Sequence, residues 1–416
     1  TAVEYGWQAT TSDQWPSLAL ITELSDSWPV KEGSFYKVGT YYYTATGVKV
    51  DPIGTDFYID GTDYYTAAGV KVEGFAWADG TATVRTATVS TANALLLWNA
   101  MAQTRHALNL TLTADITLPQ PAEGGSNWTP VGNSETPYTG TIDGDGHTLT
   151  GMVINSTENN QGFVGYLDEG GKVQNLTFAN ATVTSGTPVG IVVGNNMGTV
   201  ENCHTTGTVK GEYSSIGGIV GENGLNAIIT NCTNAATMEG EEVSAGGIAG
   251  INKGLVSACI NSGALSVTFI EDGNIHLPGG SGDKSGVGGI VGDNYGDVIA
   301  CGNTGTINRK YNSGGIVGRH DGGNVIASWT QDTNETDNDG NAPSSPENGV
   351  GNEASGCSIT DCYVFGSASA VAEDAVNAMN AAIVDYNNGT ASVKCLYSWS
   401  WESVTDGYPT LKTVTE

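Results

Sequence analysis

The sequence predicts a mainly β chain whose central part winds as a right-handed parallel β-helix, a solenoid with short helical caps and a small N-terminal β-hairpin repeat module. Three periodic features predict it. Glycine blocks recur at Gly190-Ile-Val-Val-Gly194, Gly217-Gly-Ile-Val-Gly221, Gly246-Gly-Ile-Ala-Gly250, Gly288-Gly-Ile-Val-Gly292 and Gly314-Gly-Ile-Val-Gly318. Five cysteines, Cys203, Cys232, Cys259, Cys301 and Cys362, each carry a small residue four positions on and an apolar one six positions on. Asn196, Asn223, Asn252 and Asn294, and then His320, stand two residues beyond their blocks.

Self-similarity at this period means that one unit cannot bury its apolar face alone and must stack on its neighbours. Apart from the interval that holds the polar segment 266–286, the blocks repeat every 26 to 29 residues (218−190 is 28, 247−218 is 29, 315−289 is 26), which suits three short strands per turn. Equivalent side chains then lie about 4.8 Å apart along the axis, so every position must tolerate its own copy above and below. Isoleucine and valine of the blocks are expected inward, and the glycines at corners where backbones approach closely or φ is positive. The asparagine row is expected to bond along the axis as an amide ladder. In this setting the cysteine row reads as small, buried hydrophobes. A propeller would need longer blades of four antiparallel strands, and a leucine-rich repeat a leucine spacing that these coils lack.

From the N-terminus, residues 1–83 form a β-rich module. Gly39-Thr-Tyr-Tyr-Tyr-Thr-Ala-Thr-Gly-Val-Lys-Val50 recurs at Gly61–Val72, and short Tyr/Thr/Val runs bounded by glycine read as hairpin strands. The solenoid and its N-terminal cap occupy 84–370. The cap is a helix started by Ser90 or Thr91, with Leu95, Trp98 and Ala102 on one face, placed to cover the open strand edges of the first coil. Asp143-Gly144-Asp145-Gly146-His147 reads as a tight turn. Segments 266–286 and 328–356 are too polar for the core and are expected to project as loops. Residues 371–416 form the C-terminal cap, in which Val376, Met379, Ile383 and Tyr386 fall on one helical face and an aromatic strand around Trp399 closes the far end.

The Gly-Gly-Ile-Val-Gly-x-Asn blocks at 217–223 and 288–294, with the near copies at 190, 246 and 314, resemble the GLUG repeat of bacterial surface proteins. That repeat occurs in adhesin-like proteins of gut bacteria and beside the protease domain of some immunoglobulin A peptidases. The resemblance implies a β-helix at a cell surface. It carries over no catalytic residue, because those peptidases hold zinc on an H-E-x-x-H in a separate domain and this sequence has no such motif. The tyrosine repeats look distantly like the aromatic hairpins of Gram-positive cell-wall-binding modules, without their usual tryptophan.

Acids outnumber bases 44 to 15, for a formal net charge of −29. Such a surface repels phosphate backbones and anionic headgroups, so nucleic acid is not an expected partner. No apolar run approaches the roughly 20 residues of a membrane span, and no membrane insertion is expected. Thr1 in place of a methionine sets the expectation of a removed or omitted leader, and the low lysine, the abundance of Thr, Asn, Gly and Tyr and the acidity set that of an extracellular or cell-surface location. Seven cysteines cannot all pair within the chain, and Cys357 and Cys395, outside the register, are the candidates for a pair. No cofactor is expected. Calcium is the one ion considered, on Asp337 and Asp339 of the acidic loop, which only partly match an EF-hand.

The function expected is a non-enzymatic, adhesin-like rod that binds a host or microbial glycan or surface protein through its loops and exposed tyrosines, among Tyr41, Tyr43, Tyr58, Tyr64 and Tyr65. A polysaccharide lyase or glycoside hydrolase is the alternative, with Asp293, Arg319, His320 and Asp321 gathered in a cleft. Self-assembly into a surface layer or filament is a further one. The packing of the cysteine row has a direct test. Cys259→Asp puts a carboxylate inside the stack and is expected to destabilise the solenoid by several kcal/mol in chemical denaturation; a variant as stable as wild type would place Cys259 outside.

Overall fold

The computed structural model describes the chain apart from residues 1–4, 9–16, 21–29, 33–34, 39–40, 44–48, 61, 79–84, 187, 213–214, 242, 269–284, 309–312, 332–349, 354–356, 366–372, 390–392, 401–407 and 415–416. Its centre is a parallel β-solenoid. One sheet stacks seven strands in chain order: Val164–Leu167, Val193–Asn196, Val220–Asn223, Ala249–Asn252, Val291–Asn294, Val317–His320 and Val350–Glu353. A second stacks five short ones, Val189–Gly190, Ser215–Gly217, Ser244–Gly246, Val287–Gly288 and Ser313–Gly314. The remaining strands of each coil form a third surface that ends at Tyr363–Phe365.

The register turns the sequence rows into columns. His204 pairs with Thr233, Thr233 with Ile260 and Ile260 with Gly302, which aligns the residues before them, Cys203, Cys232, Cys259 and Cys301, all fully buried. Each thiol donates to the carbonyl two residues earlier, as Cys203 Sγ does to Glu201 O at 3.4 Å and Cys259 Sγ to Ser257 O at 3.1 Å. Burial pushes the Cys203 and Cys259 thiols well up, so they remain protonated hydrophobes.

Two corrections concern this row. Gly302 pairs with Trp329 and Trp329 with Tyr363, so Ser328 fills the position above Cys301, and Cys362 belongs to a further coil that contains Val350–Glu353. Ser328 Oγ donates to Ile326 O at 3.0 Å, the bond its thiol counterparts make. The pair considered for Cys357 and Cys395 is also absent. Cys395 is a buried free thiol in the C-terminal cap, and Cys357 Sγ donates to His320 O at 3.3 Å.

The amide ladder runs as expected: Asn196 Nδ2 donates to Asn223 Oδ1 at 2.7 Å, Asn223 to Asn252 at 2.8 Å and Asn252 to Asn294 at 2.8 Å, and Asn294 Nδ2 lies 3.2 Å from His320 Nδ1. A second ladder lies across the core. Thr205 Oγ1 donates to Asn234 Oδ1, Asn234 to Asn261 and Asn261 to Asn303, each at 2.8 Å. The paired glycines answer two constraints, the close backbone at the corner and room for this ladder. A Cβ on Gly217 would collide with the Val220 carbonyl, and one on Gly218 with the Asn234 amide.

The N-terminal cap is helix α1 (Ala92–Ala102), with Thr91 as N-cap accepting from Ala94 N at 3.2 Å. Its Trp98 enters an aromatic plug with Trp128, Tyr138 and Phe163, where Trp128 stacks on Phe163 at 4.4 Å. A six-stranded antiparallel sheet precedes it, from Val30–Glu32 to Asp63–Thr66.

The C-terminal helix α2 (Glu373–Asn388) buries Val376, Met379, Ala382 and Ile383. It packs against the flank of the late coils, on Leu255, Ile299, Ala300, Ile326 and Ala327, instead of mirroring the first cap over the end. This placement explains a change at the third surface's corner, where the residue before each cysteine position has positive φ. Asn175, Asn202 and Asn231 hold that corner in early coils and bond one another at 2.9 and 3.1 Å; Ala258, Ala300 and Ala327 hold it later. Alanine at positive φ costs roughly 1–2 kcal/mol, but a polar amide would be stranded beneath Trp399, whose Nε1 donates to Ala327 O at 2.7 Å. Among the described residues no helix is long and apolar enough to cross a membrane.

Asn252→Leu removes the middle rung: the Asn294 side-chain carbonyl and the Gly254 amide lose their Asn252 partner, and the Asn223 amide keeps only its longer bonds to Ala227 O and Leu255 O at 3.3 Å. The expected loss is about 2–4 kcal/mol in urea denaturation, since each orphaned buried group costs on the order of 1–3 kcal/mol. A loss below about 0.5 kcal/mol would mean that the ladder contributes nothing to stability.

Candidate recognition site

In the seven-stranded sheet the alternation of side chains decides what reaches the surface. Asn195, Glu222, Ile251, Asp293 and Arg319 share one outward column. The residues after them, Asn196, Asn223, Asn252, Asn294 and His320, point inward and are fully buried. The structure therefore brings Asp293, Arg319 and Asp321 together and takes His320 away from them, as the last rung of the ladder. The expected cleft is corrected in that respect. One residue further on the chain turns a corner, and Tyr295 N to Asn252 O at 2.7 Å and Asp321 N to Asn294 O at 2.8 Å stack Lys253, Tyr295 and Asp321 in successive coils.

Asp293 is 5% exposed and its carboxylate is fully engaged. Oδ2 accepts from Ser244 Oγ at 2.7 Å and from Arg319 Nη2 at 3.1 Å, while Oδ1 accepts from Gly286 N at 2.9 Å. Burial raises its pKa above the usual carboxylate range, against the opposing pull of the Ser244 bond and the Arg319 charge. Arg319 Nε lies 3.1 Å from Asp321 Oδ2, and its Nη2 donates to the Tyr295 hydroxyl at 2.7 Å. Lys253 pairs with Glu222 at 2.6 Å. The result is a fixed polar surface in which one guanidinium joins two carboxylates and a phenol.

The other sequence candidates lie elsewhere. Tyr58 and Tyr64 are buried in the antiparallel sheet, where Tyr58 pairs with Tyr65 and Ile59 with Tyr64, so their expected exposure is corrected. Tyr65 is half-buried. Tyr41 and Tyr43 lie in the strand Tyr41–Tyr43, and their side chains fall outside the described residues. Asp337 and Asp339, and most of both polar insertions, also lie outside them. Asp143 takes part in a turn, as its sequence indicated: Oδ1 accepts from Asp145 N at 2.9 Å and from Asn175 Nδ2 at 3.0 Å. Among the described residues no group of three or more His, Cys, Asp or Glu side chains is placed to hold a metal ion. A groove of about 690 Å³ separates the turn at Pro52–Asp56 from the end of α1, lined by Gln103, Arg105 and Asn127 and floored by buried Trp128.

Tyr295, Lys253 and Ser244 were missed by sequence reasoning. A signal existed for the first two, since both directly follow an asparagine of the ladder row.

Comparison with known proteins agrees with the repeat reading. Residues 212–237 match the GLUG motif. Over 127 residues, 29% of this chain, the sequence is 40% identical to halomucin of Haloquadratum walsbyi; over 83 residues, 19% of this chain, it is 39% identical to a protein of Evansella cellulosilytica provisionally described as a Gly-rich membrane protein. The matched segments span 1% and 10% of those relatives. A crystal structure from Bacteroides ovatus, provisionally described as an immunoglobulin A1 protease, superposes with a TM-score of 0.54 over 81% of this chain and 94% of that one, at 23% identity. That similarity establishes the shared fold.

Arg319→Met leaves Asp293 buried without its cation. Asp293 already has a folded-state pKa above its unfolded value, so its contribution to stability is fully present below about pH 4 and is lost as pH rises. Removing the guanidinium steepens that loss. Melting curves are expected to show a small deficit near pH 4 and one of about 3–5 kcal/mol at neutral pH; an equal deficit at both would contradict the pairing.

Proposed function

We propose that this chain is a cell-surface, non-enzymatic binding protein, adhesin-like in kind, whose solenoid holds recognition side chains in fixed register for a glycan or surface protein. The corner column Lys253, Tyr295 and Asp321 carries this reading. Each of its members is anchored by a backbone bond to the coil before it, and Tyr295 remains 41% exposed. Preorganised side chains bind without the ordering penalty that a mobile segment incurs.

Two further observations support the reading. Asp293 and Asp321 are both tied to Arg319 and Glu222 to Lys253, whereas glycoside hydrolysis needs one carboxyl group to deliver a proton and another to attack or activate water. A surface location fits the match to a halomucin and to a Gly-rich membrane protein, and the net charge of −29 fits a partner that is neither nucleic acid nor anionic lipid.

The test combines glycan and surface-protein arrays with an assay for newly formed reducing or unsaturated sugar ends. Saturable binding with no release of ends is the expected result. Depolymerisation of any bound polysaccharide would replace this reading with the lyase or hydrolase alternative.

A further inference from the structure

Tyr295 is held in a way that specifies a ligand. Its hydroxyl accepts from Arg319 at 2.7 Å and the guanidinium carbon lies 6.0 Å from the ring centroid, so the ring is held at its hydroxyl end while its exposed part faces solvent. In the neighbouring coils, about 4.8 Å to either side, stand Lys253, whose side chain is 46% exposed, and Asp321, 30% exposed. An aromatic face flanked by one donor and one acceptor at this spacing matches a pyranose, which pairs an apolar C–H face with a rim of hydroxyls. A protein partner would instead seek an aromatic anchor in an apolar, desolvated surround, whereas Lys253, Arg319 and Asp321 around Tyr295 are charged.

Charge narrows the class. Glu222, Asp293 and Asp321 oppose Lys253 and Arg319, leaving the cluster one negative charge in excess on a chain of net charge −29. A uronic or sialic acid would bring a carboxylate against that field.

We propose that Tyr295 is the stacking platform of a subsite for a neutral pyranose, with one sugar hydroxyl donating to Asp321 and another sugar oxygen accepting from Lys253. The proposal rests on the binding reading above and names the ligand of that site.

The test titrates the full chain with neutral gluco-, galacto- and manno-oligosaccharides and with uronate-containing and sialylated ones. Tyr295→Ala, Tyr295→Phe and Asp321→Asn follow, each checked for an unchanged melting temperature. Neutral sugars are expected to bind, and acidic ones at least about tenfold more weakly. Tyr295→Ala should lose about tenfold or more in affinity, while Tyr295→Phe, which keeps the ring, stays within about threefold. Preference for acidic sugars, or neutral binding unchanged in Tyr295→Ala, overturns the subsite and leaves the binding reading standing. Binding to a surface protein and to no sugar does the same. Binding to neither glycan nor protein overturns both.

Discussion

Every side chain inside this solenoid must be compatible with a copy of its own position about 4.8 Å away. Apolar residues satisfy that condition by packing, and the isoleucines and valines of the glycine blocks do so. Polar residues satisfy it only when one side chain both donates and accepts, which an amide does and a carboxylate or ammonium does not. Hence the polar residues that stack inside the coils are asparagines in two ladders, ended by Thr205 and Thr330 in one and by His320 in the other. Chains of such bonds strengthen one another in a low dielectric, and a single substitution removes the bond on either side of it.

The same condition explains where the pattern changes. A ladder must stop, and each stop is a different chemical solution. The first runs from Asn294 onto the imidazole of His320, and the second from Asn303 onto the hydroxyl of Thr330 at 3.3 Å. At the left-handed corner the amide column gives way to alanines where the C-terminal helix and Trp399 cover the flank. The surface column obeys a looser rule, because solvent screens it. Glu222, Ile251, Asp293 and Arg319 can therefore follow one another there, Asp293 being held by Ser244, Gly286 and Arg319, and the late coils assemble a polar surface around Tyr295.

Much of the fold was legible because self-stacking writes itself into the sequence as rows. The glycine blocks, the cysteines and the first asparagine ladder were visible on that ground. The second ladder was obscured because Thr205 and Thr330 occupy its ends in place of asparagine. Ser328 was obscured because an oxygen stood where a sulfur was expected, and the insertion after it made Cys362 look like its substitute. The flank position of α2 could not be read, since an amphipathic helix shows that a face is buried and not what buries it. At the site, Asp293, Arg319 and Asp321 were found because they lie beside the glycine blocks. His320 was placed on the wrong side because adjacency in sequence means opposite faces in a strand, and the tyrosine repeats drew attention from a lone Tyr295.

The account as a whole depends on the ladders being the most persistent part of the molecule. Native-state hydrogen exchange measures that directly, residue by residue. The backbone amides of Val220–Asn223, Ala249–Asn252 and Val291–Asn294 and the side-chain amides of Asn223 and Asn252 should exchange last and together, as one cooperative block. Exchange of those side-chain amides as fast as the exposed turn at Leu225 would contradict it.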